Sequence, residues 1–479
     1  MKYIKLVAAA SLIMATGCNK LLDIKETDII AGDVALKTVE NCESGLMGAY
    51  AVLSMNMDYQ FNATMSDEVK DGEFYNSGTV HEWAFGSTDV VIRDTYTAIT
   101  PMGQLNDRAS RVLRALPNAD STRAGDNVLR SKLRGEALFL RAWGHFQLFR
   151  YYCNNYTANG LAMPYLETPT IEPLARLDMA TYFSKLKADL AEAKNLVPAE
   201  LTPNTSRTRV NKATVAALQA RVALYMKDWT NAEAFATEYI NQLPLATTAT
   251  FPSIWTDASV EEVSFYLIGN ANSRLGSIWK PVNSQPTVFP QIVWFASTEL
   301  WNMYDKVNDV RFNAYFTDEP LLSGATPARN SKLISKYKGS AAYAATTENL
   351  TNAKVFRTGE MYLIRAEARA EQDRFTGANS AESDLNQLRA NRINGYTPVT
   401  LASKAAAITA IMEERFKELA YEGHRFWDLK RRGLPVERIP ADAPNTASAT
   451  LPAGNFRFLL PIPLTEIQAN RLMEQNPEY

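Results

Sequence analysis

Three segments of this chain spell helices that are apolar on two opposite sides, and this restricts the fold more than any other feature of the sequence. Over 128–152, Leu133, Ala137, Leu140 and Gly144 share one face, while Leu138, Ala142, Phe146 and Phe149 share the other. Over 209–226 the stripes are Ala213, Ala217, Ala220, Leu224 and Val215, Leu218, Val222. Over 357–373 they are Met361, Ile364, Ala368 and Leu363, Ala366, Ala370. Such a helix must be covered on both sides, and the Ala and Gly positions let a neighbour approach closely. Stacked helical hairpins meet both demands.

A short self-similarity supports the stack. Gly135-Glu136-Ala137-Leu138-Phe139-Leu140-Arg141-Ala142 parallels Gly359-Glu360-Met361-Tyr362-Leu363-Ile364-Arg365-Ala366. The Glu and Arg of each copy do not share a helix face, so each is expected to pair with a neighbouring helix. The run Ala220-Arg221, Leu224-Tyr225, Asp228-Trp229, Ala232 and Ala236 reads as helix, tight turn and second helix of tetratricopeptide type, and about four such hairpins fit the chain. The periodicity predicts helices near 33–57, 97–116, 128–152, 179–197, 209–226, 229–242, 357–373, 376–393, 403–421 and 424–432. The expected class is therefore all-α: tetratricopeptide-like hairpins forming a right-handed scaffold. Loop-rich insertions near 60–96 and 243–356 interrupt it, and binding groups tend to sit on such excursions.

Charge and chemistry narrow the function. Lys and Arg total 50 against 52 Asp and Glu, a net charge of −2, which excludes bulk electrostatic capture of nucleic acid. Three His and three Cys exclude zinc arrays and disulfide frameworks. There is no G-x-S-x-G, no phosphate-cradling glycine loop and no H-E-x-x-H, so no catalytic constellation emerges and no cofactor is expected. Asp67, Glu68, Asp71 and Glu73 form the densest acidic cluster. It reads as a solvated loop, with calcium at Asp67, Glu68 and Asp71, direct ligand contact, or acid–base work on a glycoside as alternatives.

The amino terminus reads as an export signal, with Lys2 and Lys5 followed by the apolar run Leu6 to Met14. Ala15-Thr16-Gly17-Cys18 resembles a lipobox, which makes Cys18 the expected acylated first residue after removal of 1–17, with 18–32 as a tether and 33–479 as one domain. After that signal no apolar run approaches the roughly 18 residues that cross a bilayer. Cys42 and Cys153 remain, as two separate buried thiols or as a pair.

The carboxy-terminal quarter holds the most specific stretch, Glu414-Arg415-Phe416-Lys417-Glu418-Leu419-Ala420-Tyr421-Glu422-Gly423-His424-Arg425-Phe426-Trp427-Asp428-Leu429-Lys430-Arg431-Arg432-Gly433. It resembles the signature of the SusD/RagB family of Bacteroidetes outer-membrane lipoproteins. The ending Leu460-Pro461-Ile462-Pro463 with Asn476-Pro477 is similar to that family's terminus, and Ser66-Asp67-Glu68, Arg365-Ala366-Glu367-Ala368 and Asp384-Leu385-Asn386 also match. The resemblance is weakest over 243–296. It implies a cell-surface, lipid-anchored, non-enzymatic protein that captures an oligosaccharide and delivers it to a SusC-like TonB-dependent transporter. Peptide cargo, or a purely structural role in assembling outer-membrane proteins, are the alternatives. By itself, the signature places Arg415 inside an apolar helix stripe, where a guanidinium needs carboxylates. Arg415, Glu418, Glu422, Arg425 and Asp428 are therefore expected to form an internal ion-pair knot.

Ligand contacts are expected from the aromatic residues of the insertions. A sugar ring offers apolar C–H faces to an indole or phenol, and its hydroxyls need polar partners. Trp83 with Asp71, Tyr75 and Asn76, and Trp279 and Trp294 with Arg274, supply that mixture.

Overall fold

The computed structural model describes residues 35–73, 78–201, 207–283, 289–340 and 346–479. The expected signal peptide, Cys18 and the tether lie outside the described residues, as do Tyr75 and Asn76. The longer helices are α1 (Val39–Tyr50), α2 (Asn56–Met65), α3 (Ile99–Ala115), α4 (Asp126–Tyr152), α5 (Met179–Leu196), α6 (Lys212–Met226), α7 (Trp229–Gln242), α8 (Thr358–Glu371), α9 (Ala381–Ala390), α10 (Lys404–Glu418) and α11 (Arg425–Arg432). The pairs α1/α3, α4/α5, α6/α7 and α8/α9 pack as hairpins, and each hairpin packs on the next through α3/α4, α5/α6 and α7/α8. The all-α expectation holds. Side-chain caps set the starts: Asp178 accepts from Thr181 N–H, Asn211 from Thr214 N–H, and Ser403 from Ala406 N–H. The tight turn between α6 and α7 forms where Lys227 takes a left-handed conformation and Asp228 caps the next helix.

The two-sided helices are covered on both sides. In α4 every residue from Gly135 to Tyr152 is buried. The repeated motif explains how. A Cβ at Gly135 would meet Leu196 Cβ at 2.8 Å and Val197 Cγ1 at 2.9 Å, so only glycine admits α5 this closely. Arg141 forks onto Asp189 of α5, both bonds 2.7 Å, and Arg365 binds Asp384 of α9, so in both copies the Arg ties the first helix of the hairpin to the second. Glu136 accepts from Arg209, next to α6, and Glu360 accepts two bonds from Arg221 of α6.

The insertions are not separate loops. Short strands join them: β1 (Val69–Asp71), β3 (Trp294–Ala296), β4 (Phe316–Asp318) and β5 (Lys332–Ile334) make an antiparallel sheet in the order β1-β3-β5-β4. Asp71 pairs with Trp294, and Phe295 with Leu333. A second ribbon pairs β2 (Val263–Leu267) with β6 (Ala353–Arg357) and leads straight into α8.

Two boundaries depart from the sequence reading. The helix expected over 33–57 stops at Tyr50, and α2 starts afresh at Asn56 and runs to Met65, into the expected loop 60–96. Polar residues made α2 look like loop, yet they are buried and bonded to distant residues. Asp58 accepts from Arg150 at 2.7 Å and Tyr151 at 3.0 Å, and Asn62 accepts from Phe426 N–H at 2.8 Å.

The five signature residues are all ion-paired but do not form one closed knot. Arg415 binds Asp428 at 2.7 Å, and neither Glu418 nor Glu422 reaches it. Glu418 instead accepts from Arg311 at 2.9 Å, from Arg392 at 3.0 Å and from Arg357 of β6. Glu422 binds Lys336 at 2.6 Å and Arg357 at 2.7 Å, and Arg425 forks onto Asp67. Arg311 and Lys336 come from the second insertion, Asp67 from the first and Arg392 from just after α9, so the signature fastens both insertions to the last hairpin. A Cβ on Gly359 would overlap Glu418 and Arg357, so the repeated glycine here serves the ion pairs. Burial alone would raise Glu418; Arg392, Arg357 and Arg311 outweigh it and hold the carboxyl below the usual range. Cys42 and Cys153 are separate buried free thiols, and burial pushes Cys153 up to about 11.

Candidate ligand-binding site

The aromatic side chains expected to bind ligand lie where the two insertions meet, and their rings are closed off. Trp83 donates its indole N–H to the Met65 carbonyl at 3.0 Å, and the Arg438 guanidinium sits 4.0 Å over its ring. Trp294 is a β3 residue with His81 edge-on at 5.1 Å, and Trp279 packs on Tyr421 at 5.1 Å. These three indoles are between 1% and 5% exposed, so none offers a face for a sugar, and the expectation of stacking platforms at Trp83, Trp279 and Trp294 is corrected. They are core because the short strands fuse the insertions into a packed layer. Arg274 is held by the Ala271 and Glu348 carbonyls.

The acidic cluster is likewise not a solvated loop. Asp67 is engaged by Arg425, and Glu68 is fully buried and accepts the Tyr421 N–H at 2.7 Å. Burial pushes Glu68 up to about 8, against the pull of the Tyr421 amide, Arg425 and Lys336. Asp71 is half-buried at the end of β1, with Oδ1 3.8 Å from His81 Nε2. Burial, with Arg438 nearby, lowers His81 to about 3 and keeps it neutral. Glu73 pairs with Arg329. Among the described residues no group of three acidic, His or Cys side chains is placed to hold a metal ion, so Asp67, Glu68 and Asp71 do not form a calcium cage.

An open cleft of about 510 Å3 lies instead beside this layer. One wall is the break between α1 and α2, from Tyr50 to Asn56; the other is the end of β2 and the loop after it, from Tyr266 to Ser273, closed by Thr208, Thr351 and Ala353. Asn56 Nδ2 donates to Ser273 Oγ at 2.8 Å and bridges the walls. Asn270 accepts the Asn272 N–H at 2.8 Å, which fixes the loop. Tyr50 is anchored by its hydroxyl, which donates to Glu136 at 2.8 Å. Tyr266 is half-exposed and Ile268 stands out at 71% exposure.

None of the lining side chains carries a charge. They are Tyr rings, amides, hydroxyls and aliphatic groups. Such a surface gives a neutral polyol apolar contact for its C–H faces and hydrogen bonds for its hydroxyls, without stripping water from a fixed charge. Nothing in the lining is a nucleophile paired with a base. The sequence reading missed this cleft because it arises from the break at 51–55, where the apolar Val52-Leu53 run reads as continuing helix.

The comparisons agree with the architecture. Residues 323–479 match the family described as the SusD family, and residues 22–224 match the family described as starch-binding associating with outer membrane. SusD-like protein P2 of Formosa agariphila is 24% identical over 545 aligned positions, covering all of both chains. A SusD superfamily protein from Bacteroides thetaiotaomicron superposes with a TM-score of 0.78 at 21% identity, over 92% of this chain and 100% of its own. A laminarin-binding SusD-like protein superposes with a TM-score of 0.71 at 20% identity, over 92% of this chain and 100% of its own.

Proposed function

The chain belongs to the SusD/RagB family, and from that premise we propose that it is a lipid-anchored receptor on the outer face of the outer membrane. It binds a neutral oligosaccharide in the cleft between the α1–α2 break and the β2 loop, and passes it unaltered to a SusC-like TonB-dependent transporter. The observation that carries this reading is the uncharged lining of an open cleft in a chain rich in buried charge. A sugar ring lies against Tyr266, Met47 and Ile268, and Asn270, Ser54 and the Thr hydroxyls read its hydroxyl pattern. The cleft holds no acid–base pair, so the glycan leaves chemically unchanged. Cys18, at the end of the lipobox-like sequence, carries the acyl anchor. Among the described residues no helix is long and apolar enough to cross a membrane.

Calorimetry against a panel of neutral and acidic glycans tests the reading. Starch, named in the description of a matched family, and laminarin, bound by a structural neighbour, head the panel. Binding restricted to neutral members, and weakened about tenfold (about 1.4 kcal/mol) by Tyr266→Ala, is the expected result. Binding only of acidic glycans, or full affinity in the variant, overturns the site. Labelled palmitate incorporation lost on Cys18→Ala tests the anchor, and co-purification with a SusC-like transporter tests the partner.

A further inference from the structure

A second cleft, of about 590 Å3, has the opposite character and shares no lining residue with the first. It runs between α10, α11 and the segment 434–439, and is closed by Glu299 and Met303. Ile408, Met412, Phe416, Leu429 and Pro435 line it, and its rim carries Leu434 and Ile439 at 39% and 38% exposure.

Its charges are unbalanced. The three arginines are already engaged: Arg425 by Asp67, Arg432 by Glu371 at 2.6 Å, and Arg438 by the carbonyls of Ser66, His81 and Thr64. Glu299, Glu413 and Glu437 have no ion-pair partner among the described residues. In the carboxy-terminal signature, by contrast, Glu418, Glu422 and Asp428 each bind at least one cation. Burial, followed by the negative charge of Asp67, raises the Glu299 carboxyl above its ordinary value, against the pull of Arg425.

We propose that this cleft docks a segment of a partner protein that places a lysine or arginine between apolar side chains. The apolar walls take the flanking side chains out of water, and the cation meets three carboxylates that the fold leaves unmatched. A neutral glycan brings no cation. An acidic or wholly apolar segment would bury the carboxylates without compensation. The inference concerns a surface distinct from the glycan cleft and stands apart from the glycan reading.

The probe is the pentapeptide Leu-Arg-Ile-Lys-Leu, blocked at both ends and titrated into the full chain by calorimetry at low ionic strength. Saturable binding is expected, weakening as salt rises. The combined Glu299→Gln, Glu413→Gln and Glu437→Gln variant is expected to lose at least about tenfold in affinity, while its circular dichroism and glycan affinity stay unchanged. The counterpart peptide with Glu in place of Arg and Lys should not bind. No binding of the probe at about 1 mM, or equal affinity in the variant, overturns the proposal. So does loss of glycan binding in the variant, because the cleft would then belong to the glycan.

Discussion

The junction beneath the carboxy-terminal signature and the cleft between the α1–α2 break and the β2 loop divide the polar chemistry of this chain between them. At the junction, Glu418 has no exposed surface and is surrounded by Arg311, Arg357 and Arg392. In the open cleft, where water would screen a charge, no charged side chain lines the surface. The difference teaches what each polar group is for. Apolar packing alone does not say how far an insertion slides along a helix, whereas a fork of guanidinium on carboxylate accepts one register. In the cleft, neutral amides and hydroxyls give selectivity by direction without attracting every ion in the medium.

Breaking the charged half should have the largest effect. Glu418→Gln leaves three buried guanidinium groups short of a counter-charge, and a loss of about 3–5 kcal/mol is expected in denaturant unfolding. Unchanged stability would mean that the junction tolerates net positive charge and does not fasten the insertions. Acid provides a gentler form of the same test. Burial by itself would raise Glu414, but Arg311, Lys417 and Arg389 prevail and hold it at about 2, below its ordinary 4.5. Because the folded value lies below the unfolded one, the contribution is complete above about pH 5 and is lost as pH falls toward 2. The unfolding temperature should therefore drop steeply below pH 4.5, and Glu414→Gln should flatten that drop.

The scaffold was legible in the sequence because its contacts are local or periodic. The two-sided stripes of α4, α6 and α8 and the repeated Gly-Glu-Arg motif each dictate covering neighbours within the next hairpin. The insertions were not legible for a physical reason. The strands of the sheet are short, and the partners of β1 lie more than 200 residues away, so neither period nor spacing marks them. Glu68 read as solvated loop for the same cause, and the buried roles of Asp58 and Asn62 were hidden with it: their partners, Tyr421, Arg150 and Phe426, enter only through the fold. The aromatic residues were correctly placed in the insertions and wrongly turned outward, since a Trp in a polar segment reads alike whether it faces water or a hidden second layer.

Adding charge to the neutral half is the matching test. Asn270→Asp keeps the oxygen that accepts the Asn272 N–H, so the loop should hold and stability should stay within about 0.5 kcal/mol. The carboxylate would then have to be stripped of water when a glycan binds, and an affinity loss of about tenfold is expected by calorimetry. If affinity is unchanged, the neutrality of the lining is incidental to recognition.

A test on Glu68 sharpens the boundary of the charged half. Glu68 sits at the junction's edge, yet burial raises it to about 8 against an ordinary 4.5, so at pH 7 it is folded as the neutral acid. The sign is opposite to that of Glu414. An acid whose folded value is raised loses its contribution to stability as pH climbs from 4.5 toward 8, because the unfolded chain ionises while the folded one does not. Glu68→Gln cannot ionise and keeps an oxygen to accept the Tyr421 amide. It should therefore be more stable than the parent at pH 7, the gain disappearing below about pH 4.5. A loss of stability at pH 7 instead would mean that Glu68 is ionised in the folded chain, its charge compensated by Arg425 and Lys336 nearby.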